Sequence, residues 1–212
     1  MPGRYGRRVD VRRGEPEDAE ALYALSVRAI RESAAGFYSA GELEAWAGRR
    51  SVSQHRLLVL HTVTLVGVGG GCGGGGGFAA AGGGCGGGGG FAAAGGGFAA
   101  AGGGCGGGGG FAAAGGGLAG FVSVALEPWG ALERGEVDQL FVDPAFGGRG
   151  VGAGLLAAVD EVASEAGIDT LVTHASWRAA PVFVRCGYVR EAVESVAIDG
   201  ETLTRVRMRR SL

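Results

Sequence analysis

Between Gly67 and Gly117 the chain consists almost wholly of one copied unit, CGGGGGFAAAGGG, and this tract decides which residues are left to fold. The unit occurs at Cys72–Gly84, Cys85–Gly97 and Cys105–Gly117, with a shortened FAAAGGG between the last two. Structural repeats vary on their surfaces and keep a core pattern, whereas these copies of 13 residues do not vary at all. One Phe per unit builds no core. Glycine runs have the most backbone entropy to lose, and three alanines are too few to nucleate helix. The tract therefore reads as a low-complexity insertion whose ordinary outcome is disorder, the alternative being a self-adhesive element with Phe and Cys as spaced contacts.

Taking 51 residues from 212 leaves 161 of ordinary composition, enough for one compact domain. The flanks, RLLVLHTVTLV and LAGFVSVAL, read as adjacent strands, Leu57–Val66 and Leu118–Leu126, of a hairpin interrupted at its turn. Lengthening a loop from about 5 to about 50 residues costs roughly 2 kcal/mol of closure entropy, which a domain of this size survives.

The rest of the chain is punctuated clearly. VDVRR (Val9–Arg13) alternates as a strand, and EPEDAEALYALSVRAIRES is helical, with Pro16 near its start and Ala19, Leu22, Ser26 and Ile30 on one stripe. Ser39 and Glu42 form a capping box for a second helix ending near Gly48. EVDQLFV (Glu136–Val142) is a strand stopped by Asp143-Pro144, and Gly150–Ala166 is an amphipathic helix with Gly167 behind it. TLVTHAS is a strand, Ala179–Cys186 a short helix, and Val189–Val196 with Thr202–Met208 a hairpin through Asp199-Gly200. The order β-α-α-β-β-β-α-β-α-β-β predicts a single α+β domain, a mixed and mostly antiparallel central sheet flanked by helices.

Charge and cysteine usage narrow the function. A formal charge of -2 gives no electrostatic case for nucleic acid or a membrane surface, and the basic runs at either end read as solvated faces. No stretch reads as a signal peptide or membrane span, so a cytoplasmic protein is expected. Cys72, Cys85 and Cys105 belong to the repeat, Cys186 stands alone, and no C-x-x-C pair suggests a metal.

Chemistry is signalled by VDQLFVDPAFGGRGVGAGLLAAVDEVA. A strand breaks at Pro144, and glycines at 147, 148, 150, 152 and 154 lead into a helix. Bare glycines let an anion approach backbone N–H groups, the helix start adds free donors and partial positive charge, and Arg149 adds a formal charge. The long glycine tract has no helix after it and no charge within it, so the phosphate-binding reading belongs to the short element.

In EVDQLFV, GGRGVG and APVFVRCGY, in this order and spacing, the chain resembles the GNAT N-acetyltransferase superfamily over nearly all of its length outside Gly67–Gly117. The resemblance implies a GNAT-like fold and acetyl-CoA as co-substrate. Gly147, Gly148, Arg149, Gly150, Val151, Gly152 and Ala153 would hold the pyrophosphate, and Phe141 and Val142 would bond the pantetheine arm. The strand from Thr170 would splay away to open a slot. Glu136 and Asp138 stand where relatives carry acids, so either would take the proton from the attacking amine, Glu136 being favoured; the alternative is two polar residues at a strand end.

Three positions depart from the family pattern. Gly147 replaces an Arg or Gln, Trp177 a frequent Asn, and Phe183 the frequent Tyr that protonates the leaving thiolate. Tyr188, Cys186 and His174 are nearby candidates for acid or base, each weighed against plain packing. The acceptor, a small-molecule or peptide amine, is expected around Tyr38, Trp46 and EPWGALERG. Direct transfer is expected because Cys186 has no activating base in view. A catalytically silent acyl-CoA-binding module and a scaffold dominated by the repeat are the rival readings, and the oligomeric state, a homodimer included, stays open.

Overall fold

The computed structural model describes residues 10–69 and 117–212. The disorder expected of the repeat concerns residues 70–116, which lie outside the described residues, as does Val9 of the expected first strand.

The described elements run β1 (Asp10–Arg13), α1 (Ala19–Arg28), α2 (Ala40–Gly48), α3 (Val52–His61), β2 (Val63–Val68), β3 (Leu118–Val124), β4 (Glu136–Val142), α4 (Val151–Glu165), β5 (Thr170–Ser176), α5 (Ala180–Arg185), β6 (Val189–Ile198) and β7 (Glu201–Ser211). Local chemistry accounts for several ends. Pro16 opens a short 3-10 turn ahead of α1, and the Ser39–Glu42 capping box starts α2. Gly150, at φ +82, precedes α4. The β6–β7 turn holds Asp199 and Gly200 at φ +47 and +88, both positive as a two-residue hairpin of this hand requires.

One expected strand is wrong in its first half. Leu57–His61 belongs to α3, and β2 begins only at Val63. The Ser51 side chain accepts the Gln54 N–H at 3.2 Å and starts a helix whose buried face is His55 and Leu58. Leu57 and Leu60 point outward, about half exposed, and made the run look like a continuous apolar strand. The insertion boundary also moves: Gly67 and Val68 pair with β3, and Gly69 N–H donates to Gly117 O at 3.1 Å. The residues that flank 70–116 are therefore hydrogen-bonded neighbours.

The seven strands form one sheet in the order β1-β2-β3-β4-β5-β7-β6. Every neighbouring pair is antiparallel except β4 and β5. Each face carries its own core. On one, Leu155, Leu156 and Val159 of α4 pack with Val137, Leu171 and Phe183; on the other, Leu22, Leu25 and Ile30 pack with Phe121, Phe141 and Leu203. At about 25 cal/mol per Å2 of buried apolar surface, each fully buried Leu or Phe contributes on the order of 2 kcal/mol.

The parallel contact is short. Only Glu136↔Val172 and Val137↔Thr173 pair, and the Thr173 hydroxyl donates to Val137 O at 2.8 Å. Beyond them β4 and β5 part, while β5 stays paired with β7 along all seven of its residues. Gly135 leads into this contact at φ +84, where an added Cβ would stand 2.5 Å from Thr170 O. Left-handed backbone and this overlap together predict that Gly135→Ala lowers stability by about 2 kcal/mol or more, read as a fall in the urea midpoint at unchanged slope.

Candidate functional site

The parting of β4 from β5 opens a slot whose walls are Asp138–Val142 on one side and His174–Ser176 on the other. A bulge re-aims the β4 wall. Gln139 pairs with Ser123 but Val137 pairs with Val124, so Asp138 is an extra residue on its strand. Strict alternation would put Val137 and Phe141 on one face; instead Val137 joins the α4 core and Phe141 the α1–α2 core. Leu140 and Val142 lie toward α4, close to the bare α-carbon of Gly152.

At the end of β4 the chain turns over Pro144–Phe146 into the glycine-rich loop. Gly148 and Gly150 have φ of +72 and +82, and Gly147 through Gly150 are exposed. The first turn of α4 has no acidic residue and no side-chain cap, and its first i to i-4 bond is Gly154 N–H to Gly150 O at 2.9 Å. The amides of Val151, Gly152 and Ala153 therefore precede the hydrogen-bonded part of the helix, at its positive end. Arg149 lies with its guanidinium carbon 5.4 Å from the Phe146 ring centre, and Phe146 itself rests over Gly69.

A partly buried ion pair anchors this loop. Asp143 caps the turn by accepting the Ala145 N–H at 2.9 Å, and its other oxygen accepts two donors from Arg28 of α1, Nε at 3.1 Å and a terminal nitrogen. Sequence spacing gives no sign of a partner 115 residues away, and Arg28 had no place in the expected site.

Glu136 and Asp138 stand where expected on β4, and burial raises both carboxyls above their ordinary range. For Glu136 the Glu133 N–H, 3.0 Å from Oε2, and His174 work against that rise. For Asp138 the chief opposing group is Arg50, whose own pKa burial pushes down to about 10. Arg50 comes from the link between α2 and α3 and stacks 5.2 Å over the Phe141 ring. Neither Arg50 nor the meeting of Glu136 with His174 was visible in the sequence.

Other expected residues are held in the frame. Tyr38 donates to Thr204 O at 2.8 Å and accepts the Trp177 N–H at 3.0 Å, while Trp177 Nε1 donates to Thr204 Oγ1 at 2.8 Å. Trp46 packs edge-on against Tyr38 and tilted against Phe141, beside the slot wall. Trp129 of the EPWGALERG link stacks instead on His61 of α3, at 4.9 Å. Phe183 is buried edge-on to Tyr188, whose hydroxyl is enclosed and raised in pKa by burial. Burial likewise raises the Cys186 thiol, which keeps it protonated. Among the described residues, no helix is long and apolar enough to cross a membrane.

Residues 107–190 match the family model described as an acetyltransferase (GNAT) domain. The fold is similar to that of a GCN5-related N-acetyltransferase structure from Rhodopseudomonas palustris, named in full as "GCN5-Related N-acetyltransferase: Aminotransferase, Class-II", with 24% identity, 97% of each chain covered and a TM-score of 0.68. It is also similar to the PaiA N-acetyltransferase of Thermoplasma acidophilum in complex with coenzyme A, at 15% identity over 97% of this chain and 100% of that one, TM-score 0.58. A third is yncA of Salmonella typhimurium, a putative acetyltransferase with its cofactor acetyl-CoA, at 16% identity over 97% and 95%, TM-score 0.53. No curated protein sequence matches the chain. The fold is thus GNAT-like, a mixed seven-stranded sheet flanked by helices.

If Arg28 holds the loop through Asp143, Arg28→Ala will speed amide hydrogen exchange at Ala145–Gly150 by about tenfold or more while leaving the centre of α4 unchanged. Equal protection of the loop in both proteins would remove that role.

Proposed function

We propose that the protein is an acetyl-CoA-dependent N-acetyltransferase that transfers an acetyl group directly to a primary amine of a small molecule or peptide. The observation that carries this reading is the continuity of the β4–β5 slot with the uncapped, glycine-rich start of α4. A long cofactor with a charged pyrophosphate at one end and an uncharged thioester arm at the other needs that sequence of environments. The amides of Gly148–Ala153, with Gly147 and Arg149 beside them, receive the pyrophosphate; the free edge of β4 at Phe141 and Val142 receives the amide-bearing arm. Two structures with this fold carry coenzyme A or acetyl-CoA in their names.

The thioester end then lies toward the apex of the slot, where Glu136 and Asp138 stand. An alkylamine with a pKa near 10.4 is mostly protonated at neutral pH, so a base must take its proton. Burial fits Glu136 for the task by raising its proton affinity toward the working pH, and its second oxygen is steadied by a backbone N–H. Direct transfer, without an acyl-cysteine, is the reading that the half-buried Cys186 supports, since burial raises its thiol pKa. A silent acyl-CoA-binding module is the second reading, favoured by Phe183, which puts no hydroxyl beside the leaving sulfur.

Calorimetric titration with acetyl-CoA followed by a thiol-release assay over a panel of amines separates the readings: turnover supports the transferase, binding alone the module, and no binding neither. In the transferase, Glu136→Gln is expected to lower kcat by about 100-fold at neutral pH with acetyl-CoA affinity unchanged. Because free amine becomes abundant as pH approaches 10, the deficit shrinks there; a deficit independent of pH removes Glu136 as base. The tract 70–116 we treat as an insertion into this domain. Because Gly69 and Gly117 are already hydrogen-bonded neighbours, replacing residues 70–116 by a short turn is expected to leave acetyl-CoA affinity within about twofold.

A further inference from the structure

We propose that Glu136 and His174 form a two-point seat for the ammonium group of the acceptor, and that His174, held in one tautomer by Glu194, receives the proton the acceptor must lose. The inference rests on the N-acetyltransferase reading and revises its base: Glu136 orients the ammonium, and His174, in place of Glu136, takes the proton.

Three strands bring the groups together. His174 is the first β5 residue past the parallel contact, on the same face as Val172 and hence as Glu136, which pairs with it. Its Nδ1 lies 2.9 Å from Glu194 Oε2 on β6, and the same oxygen accepts Arg205 Nε from β7 at 2.9 Å. Burial alone would raise the Glu194 carboxyl, but His174 and Arg205 outweigh it and hold the group below its ordinary range. Glu194 is therefore an ionised acceptor, so Nδ1 must carry the hydrogen. That leaves the lone pair of neutral His174 on Nε2.

This Nε2 faces Glu136 Oε1 at 3.9 Å. The separation is too long for a hydrogen bond, and both atoms are acceptors when Glu136 is ionised. Oε2 of Glu136 already takes the Glu133 N–H, so Oε1 is the oxygen turned to the histidine. A single nitrogen about 2.9 Å from each atom would donate to both, and an ammonium has the protons to do so. The His174 side chain is 21% exposed and that of Glu136 12%, sheltered yet reachable.

The proton balance closes. The bound R–NH3+ gives one proton to His174 Nε2, its N–H bond breaking as the new one forms. The neutral amine attacks the thioester carbonyl carbon; the C–N bond forms, the C–S bond breaks, and the sulfur leaves with the electron pair. It takes its proton from the cationic nitrogen of the addition product. The imidazolium lies among Glu136 and Asp138 of β4, Glu194 of β6, and Arg205 and Arg207 of β7, of which Arg205 is paired with Glu194 and Arg207 with Glu191. The proton returns to water past the partly exposed Glu194.

The test uses the full chain, acetyl-CoA and the best amine of the panel. His174→Gln is expected to lower kcat/KM for the amine on the order of 100-fold at neutral pH, with acetyl-CoA affinity by calorimetry unchanged and the loss fading as pH rises toward the amine's own pKa. Glu194→Gln removes the charged acceptor at Nδ1, so nitrogen-15 NMR of this variant should show the single tautomer lost, with a smaller loss of rate than in His174→Gln. Nitrogen-15 NMR of the wild-type imidazole, without substrate, should show hydrogen on Nδ1. Full activity of His174→Gln, or hydrogen on Nε2 of the wild-type imidazole, overturns this inference and leaves the transferase reading standing. Acetyl-CoA binding without turnover of any amine overturns both.

Discussion

The two-residue parallel contact between β4 and β5 is the constraint on which the rest of the structure depends. It is long enough to fix the strands in register and too short to keep them together. β5 answers to β7 along its whole length and β4 to β3, so past Val137 and Thr173 each strand follows its outer neighbour and the natural twist separates them. Gly135 makes the contact possible by passing its backbone against Thr170 where no side chain fits. The Thr173 hydroxyl then fastens the apex. Slot, bulge and the Glu136–His174 approach all follow from where that contact stops.

The second requirement is a helix start that is left uncompensated. A cap residue or an acidic side chain in the first turn of α4 would occupy the amides an anion needs, and the chain has glycines and Val151 there instead. Leaving such an end open costs local stability, and the structure offsets this from outside the loop. Asp143 holds the turn, Arg28 holds Asp143, and Gly152 and Gly120 let α4 lie close on the sheet. The anchoring acid thus sits one turn before the helix, near enough to shape the loop and removed from the first-turn amides.

Much of this was legible in local sequence, because much of it is local. The bounds of β4 and β5, the capping box at Ser39, the Asp199-Gly200 hairpin and the strand-to-helix glycine loop are each specified within a few residues. What could not be read depends on register or distance. The bulge at Asp138 arises from pairing with β3, and the Arg28–Asp143 and His174–Glu194 contacts join residues 115 and 20 positions apart. The helix α3 was missed for another reason: its outward leucines mimic a strand, and only the buried His55 and Leu58 betray the helical period.

Phe183 poses the remaining chemical question, since a transferase of this kind was expected to have a hydroxyl there. Two protons are at issue in the proposed reaction, one lost by the ammonium before attack and one gained by the sulfur after it. Only the first must be removed against a large difference in affinity, because an alkylamine holds its proton near pKa 10.4 whereas a thiol of pKa about 8.5 departs readily as thiolate. The second proton is available on the nitrogen that has just been acylated, within the same addition product. A site can therefore lack an acid at the sulfur if it is strong at the amine, and the charges here are distributed in that way: Phe183 and the enclosed Tyr188 on the α4 side of the sheet, and Glu136, Asp138, His174 and Glu194 about the slot apex.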